Sequence, residues 1–120
     1  MSCKFTELVV DCIEPRRVAD FWAAVLGYTV TEATDEGVEL SGGPNVYPTL
    51  VFVPVPERKT VKNRIHIDIN ASNGSDQNAE LARLLHLGAT QVDIGQGDVT
   101  WIVLADPEGN EFCLLRRTVD

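Results

Sequence analysis

Residues 14–30 read EPRRVADFWAAVLGYTV, and residues 75–92 read SDQNAELARLLHLGATQV. In the first stretch Val18, Phe21, Trp22 and Val25 recur at the i, i+3, i+4, i+7 spacing of one helix face. Pro15 suits the first turn of that helix, and Gly27 suits its C-terminal cap. In the second stretch Leu81, Leu84 and Leu85 form the apolar face, and Ser75 is placed to cap the start. Leu87-Gly88 then repeats Leu26-Gly27 sixty-one residues on. Each Leu-Gly pair leads into a segment that begins a strand, Tyr28 to Val30 in one case and Ala89 to Val92 in the other. A helix closing in Leu-Gly before a strand, met twice in one short chain, is an internal repeat, and it decides the fold.

Strand-like runs surround both helices. KFTELVV precedes the first, and YTVTEAT, GVEL and TLVFV follow it. RIHIDIN precedes the second, and ATQVDI, VTWIVLA and EFCLL follow. Asp35-Glu36-Gly37, Gly42-Gly43-Pro44, Gly95-Gln96-Gly97 and Asp106-Pro107-Glu108-Gly109-Asn110 punctuate them as turns, the last of these structural in character. Each half therefore reads βαβββ, the first over about residues 3–56 and the second over about 62–118, with PVPERKTVKN as the link. Neither half, at roughly 55 residues, buries its helix stripe alone, so residues 1–120 are expected to form a single domain. The expected class is α+β: two βαβββ repeats forming one curved mixed sheet, helices on the convex side, a ligand groove on the concave side.

Composition narrows the function. The 120 residues carry 18 acids and 10 Lys or Arg, for a net charge of −8, and such a field repels phosphate backbones. Nucleic acid is not an expected partner. No apolar run approaches the ~18 residues of a membrane span, and MSCKFTE lacks the apolar stretch of a secretory signal. Cys3, Cys12 and Cys113 are odd in number and without CxxC spacing, as suits reduced thiols. The expectation is a cytoplasmic protein that neither spans nor lies on a membrane.

Three passages carry a family resemblance: ELVVDCIEPRRVADFWAAVLGY, KNRIHIDIN and ADPEGNEFCLL, beginning at Glu7, Lys62 and Ala105. With the LGA turn they cover most of the chain. They resemble the vicinal oxygen chelate superfamily of glyoxalase I, extradiol dioxygenases and bleomycin-resistance proteins, and most closely its glyoxalase-like domain proteins. The resemblance implies a divalent metal in the catalytic members, held on the concave face by four side chains drawn from His, Glu or Gln. On the first strand Lys4 and Glu7 both qualify by position. Alternation favours Glu7, because Leu8 and Val10 are then under the helix while Phe5, Glu7 and Val9 face the groove. The second position falls near Leu50 or Phe52, neither of which offers a lone pair. The third is His66, and the fourth is Cys113, where the enzymes place a carboxylate; Glu111, two residues away on the same face, is a substitute. Glu7, His66 and Cys113 would leave a three-ligand zinc site open to water.

The groove also reads as a binding site without metal or other cofactor. Ile65, Ile67 and Ile69 are expected on the covered face of their strand, His66, Asp68 and Asn70 on the open one. His66 can act as acid, base or hydrogen-bond partner near neutral pH, oriented by Asp68. Trp101 and Phe52 are candidates for lining the pocket, and Glu7, Glu111 and Cys113 for bordering it; Cys113 is also a candidate nucleophile with His66 as base. The basic run Arg58, Lys59, Lys62, Arg64 reads as a solvated link. The first expectation is a homodimer binding a small, partly aromatic molecule in this groove, since the resemblance includes members that sequester antibiotics without metal catalysis. The alternative is a metal-dependent lyase or isomerase acting on a small carbonyl compound through His66 and Glu7, and a third is a domain acting only through protein contacts.

Overall fold

The computed structural model describes residues 1–120, which divide into two compact units, Met1–Arg58 and Lys59–Asp120. The first contains β1 (Glu7–Cys12), α1 (Pro15–Leu26), β2 (Thr29–Thr34), β3 (Gly37–Ser41) and β4 (Thr49–Pro54). The second contains β5 (Ile67–Ile69), α2 (Gln77–Leu87), β6 (Thr90–Gln91), β7 (Ile102–Ala105) and β8 (Glu111–Leu114). The α+β class and the two βαβββ repeats are as expected. Hydrogen bonds group the strands as two four-stranded mixed sheets, one per unit, in the orders β1-β4-β3-β2 and β5-β8-β7-β6. In both, the first and last strands of the repeat run parallel and the remaining pairs are antiparallel.

In the first unit α1 packs on β2, β3 and β4, burying Val18, Ala19, Phe21 and Trp22. Phe21 and Trp22 meet edge to face, ring centroids 5.3 Å apart. Register aligns Leu8 with Leu50, Val10 with Phe52, Phe52 with Val38 and Leu50 with Leu40, which places these residues on one face. Val38, Leu40, Leu50 and Phe52 are all buried there. Glu7, Val9 and Asp11 take the opposite, exposed face of β1, the register expected from alternation. Gly27 ends α1 at φ 70° and Gly88 ends α2 at φ 119°, a left-handed conformation that explains why Leu-Gly recurs.

The second unit departs further from expectation. Of the leucine stripe in α2 only Leu84 is buried, while Leu85 is 42% exposed. Asp76, not Ser75, is the N-cap: its extended backbone lets the carboxylate accept the Ala79 N–H at 2.8 Å, and the Ser75 hydroxyl instead donates to Glu80. β5 is three residues long rather than seven, leaving Ile65 80% exposed. β6 is shorter still, at two residues, because side chains intercept the backbone after it: Asp93 accepts from Gly95 N and Gln96 from Ile94 N. The Asp106–Asn110 turn is built on a buried carboxylate that accepts from the Glu108 and Asn110 N–H groups and from the Asn110 side chain.

Candidate functional site

The second sheet brings three of the expected residues together. Cα partners are Asp68 with Cys113 across the β5–β8 pair and Cys113 with Val103 across β8–β7, so these lie in one row on one face. Ile67, Phe112 and Leu104 form the neighbouring row on the opposite face. His66 immediately precedes β5, with Nδ1 3.5 Å from the Asp68 carboxylate. A His66 nitrogen, an Asp68 oxygen and Cys113 Sγ lie within 4.8 Å of one another. His66 and Asp68 are exposed and Cys113 is buried. Burial first, and then the negative charge and hydrogen bond of Asp68, push the Cys113 thiol above its ordinary value. That keeps the sulfur protonated at neutral pH, which argues against a free thiolate nucleophile.

Imidazole, carboxylate and thiolate are all ligands that zinc accepts, and tetrahedral bonds of 2.0–2.3 Å set ligand atoms about 3.3–3.8 Å apart. Small side-chain rotations would close the His66, Asp68 and Cys113 donors to that spacing, so the donor set fits a borderline-soft divalent ion. Alternation reads Asp68 as a partner of His66; its place opposite Cys113 follows from strand register, which the sequence does not display.

The other expected residues fall elsewhere. Glu7 stands exposed on β1 of the first unit. Phe52 is fully buried, which corrects its reading as a pocket wall: it shares the covered face of β4 with Leu50, whereas Thr49, Val51 and Val53 take the other face. That open face also lacks a metal-ligating side chain apart from the Thr49 hydroxyl. Glu111 is occupied as a latch: its carboxylate accepts from Lys59 Nζ at 2.9 Å and from Asn63 N at 2.8 Å. Burial pushes this carboxyl up, but the bonds from Asn63 and Lys59 outweigh it and hold the group below the usual carboxylate range. Lys59, with 21% of its side chain exposed, is thus a buttress and not part of a solvated link.

Trp101 immediately precedes β7 and Leu115 immediately follows β8, at the end where Ile102 pairs with Leu114. With Thr100, Arg116 and Arg117 they line an open cleft of about 520 Å³. The two arginines were not singled out from sequence; their signal was a basic pair directly after EFCLL in an acidic chain.

A family model described as a glyoxalase-like domain matches residues 7–115. Among solved structures the fold is similar to the oxidase ChaP-H2, with a TM-score of 0.65 and 17% identity over 98% of this chain and 95% of that one. It is also similar to the fosfomycin resistance protein FosX of Mesorhizobium loti, at 0.67 and 15% over 98% and 93%. The trypanothione-dependent glyoxalase I of Leishmania major gives 0.61 and 16% over 96% and 87%. A comparison with curated proteins gives no match. No helix is long and apolar enough to cross a membrane.

Proposed function

The chain belongs to the glyoxalase-like domain family, and on that premise we propose that it binds a small organic molecule at the His66–Asp68–Cys113 face of its second sheet, without requiring a metal. The observation that carries this reading is the convergence of His66, Asp68 and Cys113 on one strand face, beside a cleft walled by Trp101. A few polar groups set among apolar ones is the pattern of a small-molecule site, in which the polar set fixes orientation and the apolar set supplies contact area. His66 is the group suited to hydrogen-bond with the ligand, since its ring nitrogens offer both a donor and an acceptor. Metal is left out of this reading because the further ligand position that the family resemblance implies falls near Leu50 or Phe52, neither of which offers a lone pair. We read the protein as a cytoplasmic homodimer, in keeping with its free thiols and with the exposed Phe5 and Val9 at the first sheet, which a second copy would cover.

The proximity of three donors favours a second reading, a metal-dependent lyase or isomerase for a small carbonyl compound. In it His66, Asp68 and Cys113 would hold the ion. A bound divalent ion supplies Lewis-acid polarisation of a carbonyl oxygen. Native mass spectrometry with elemental analysis of the purified protein separates the two. A metal-free dimer retaining a small molecule supports the binding protein, whereas about one divalent ion per chain, lost in His66→Ala, supports the enzyme.

A further inference from the structure

Arg116 and Arg117 lie side by side at the cleft beside Trp101, in a chain whose net charge is −8. Neither guanidinium is paired with a carboxylate, unlike Arg16 and Arg83, which hold Asp20 and Glu80 at 3.0 and 2.8 Å. Two unpaired cations on an acidic surface concentrate anions locally, and a guanidinium fork matches a planar carboxylate with two parallel N–H donors. The apolar wall is of the complementary kind. Trp101 is 41% exposed, a large ring left open beside Leu115. An exposed indole offers a flat face to another flat ring.

The cleft is also held in shape. The Gln77 side-chain amide donates to the Thr100 carbonyl at 3.0 Å and to the Leu114 carbonyl at 3.2 Å, tying both walls to the start of α2. Leu115 N donates to Ile69 O at 2.8 Å, and the Asn70 amide donates to Arg117 O at 2.7 Å. Backbone pinned on both sides loses little freedom when a ligand arrives, which favours binding. Its volume of about 520 Å³ accommodates a molecule of one or two rings.

We propose that this cleft binds an aromatic carboxylate, its ring against Trp101 and Leu115 and its carboxylate against Arg116 and Arg117. The proposal rests on the reading of the His66–Asp68–Cys113 face of the second sheet as the ligand face, and it names the ligand class. Leu115 lies two residues beyond Cys113, about 7 Å along the strand.

The test uses the full chain with 2-naphthoate, the neutral 2-naphthamide and inorganic phosphate as probes, followed by calorimetry and by the two tryptophan indole N–H resonances. Naphthoate is expected to bind and to shift the Trp101 resonance while that of the buried Trp22 stays in place. The double variant Arg116→Gln/Arg117→Gln should weaken naphthoate about tenfold or more and leave the amide unchanged. Trp101→Ala should weaken naphthoate by a similar factor and leave phosphate unaffected. Equal affinity for acid and amide, phosphate binding as tightly as naphthoate, an unaltered double variant, or no binding to the unmodified protein would each overturn the proposal. A ligand retained in mass spectrometry and lost in His66→Ala, with naphthoate inert, would overturn the ligand class alone and leave the binding face standing.

Discussion

The two units run through the same five elements in the same order, yet they are held together differently. In the first, α1 buries four side chains on the sheet; in the second, α2 buries only Leu84. The second unit compensates with polar fastenings: the Asp106 carboxylate inside its turn, the Lys59–Glu111–Asn63 latch, and Gln77 across the ends of β7 and β8. Their surface depressions differ as well. A depression on the first unit is lined by Glu32, Glu36 and Glu39, and the cleft on the second by Arg116 and Arg117. Apolar burial is non-directional and tolerates repacking, whereas hydrogen bonds fix positions and angles. The unit whose strands carry the candidate site is the one whose backbone is located by directional bonds.

Substitutions can break that contrast. The largest loss is expected for Trp22→Ala, about 4 kcal/mol through a cavity under α1, read from denaturant unfolding. Asp106→Ala should follow at about 3 kcal/mol, since it leaves several buried donors in the turn without an acceptor. If it instead proved neutral, the polar fastening of the second unit would be decorative. Leu84→Ala is expected to cost about 2 kcal/mol, the low end for a core leucine, because α2 is thinly packed.

Glu111→Gln should cost about 1.5 kcal/mol at pH 7 through its charge-assisted bonds. Its pH dependence gives a sharper check. The folded-state carboxyl is held below its unfolded value of about 4.3, so its stabilisation is complete above that pH. It is lost as pH falls through the lower folded value, and the gap between Glu111→Gln and the unmodified protein should close there. Smallest of all, Leu85→Ser and His66→Ala should each alter stability by under about 0.5 kcal/mol, both side chains being exposed. For His66→Ala the change belongs in ligand affinity instead.

The same contrast governs what could be read in advance. α1 was legible because an apolar stripe, Pro15 and Gly27 agree with one another, and local agreement of that kind is written in neighbouring residues. The shortening of β5 and β6 was not, because it depends on side chains that capture backbone groups, Glu111 reaching Asn63 from 48 positions away and Gln96 turning back on Ile94. At the candidate site, His66 and Asp68 share a face by simple alternation. Cys113 joins them only through strand register, and Arg116 and Arg117 join Trp101 only because β7 and β8 end side by side. Phe52 shows how little separates the two outcomes: one step along β4 exchanges a core ring for an open-face residue.

The parallel pairing of β1 with β4 bears on how the chain can be rewired. Because these strands point the same way, a unit receives the backbone at one edge of its sheet and hands it on at the far end. Joining its two ends would take a bridge along the full six residues of β1, about 20 Å. A tight loop cannot close the module on itself, so circular permutation within a unit demands a long splice.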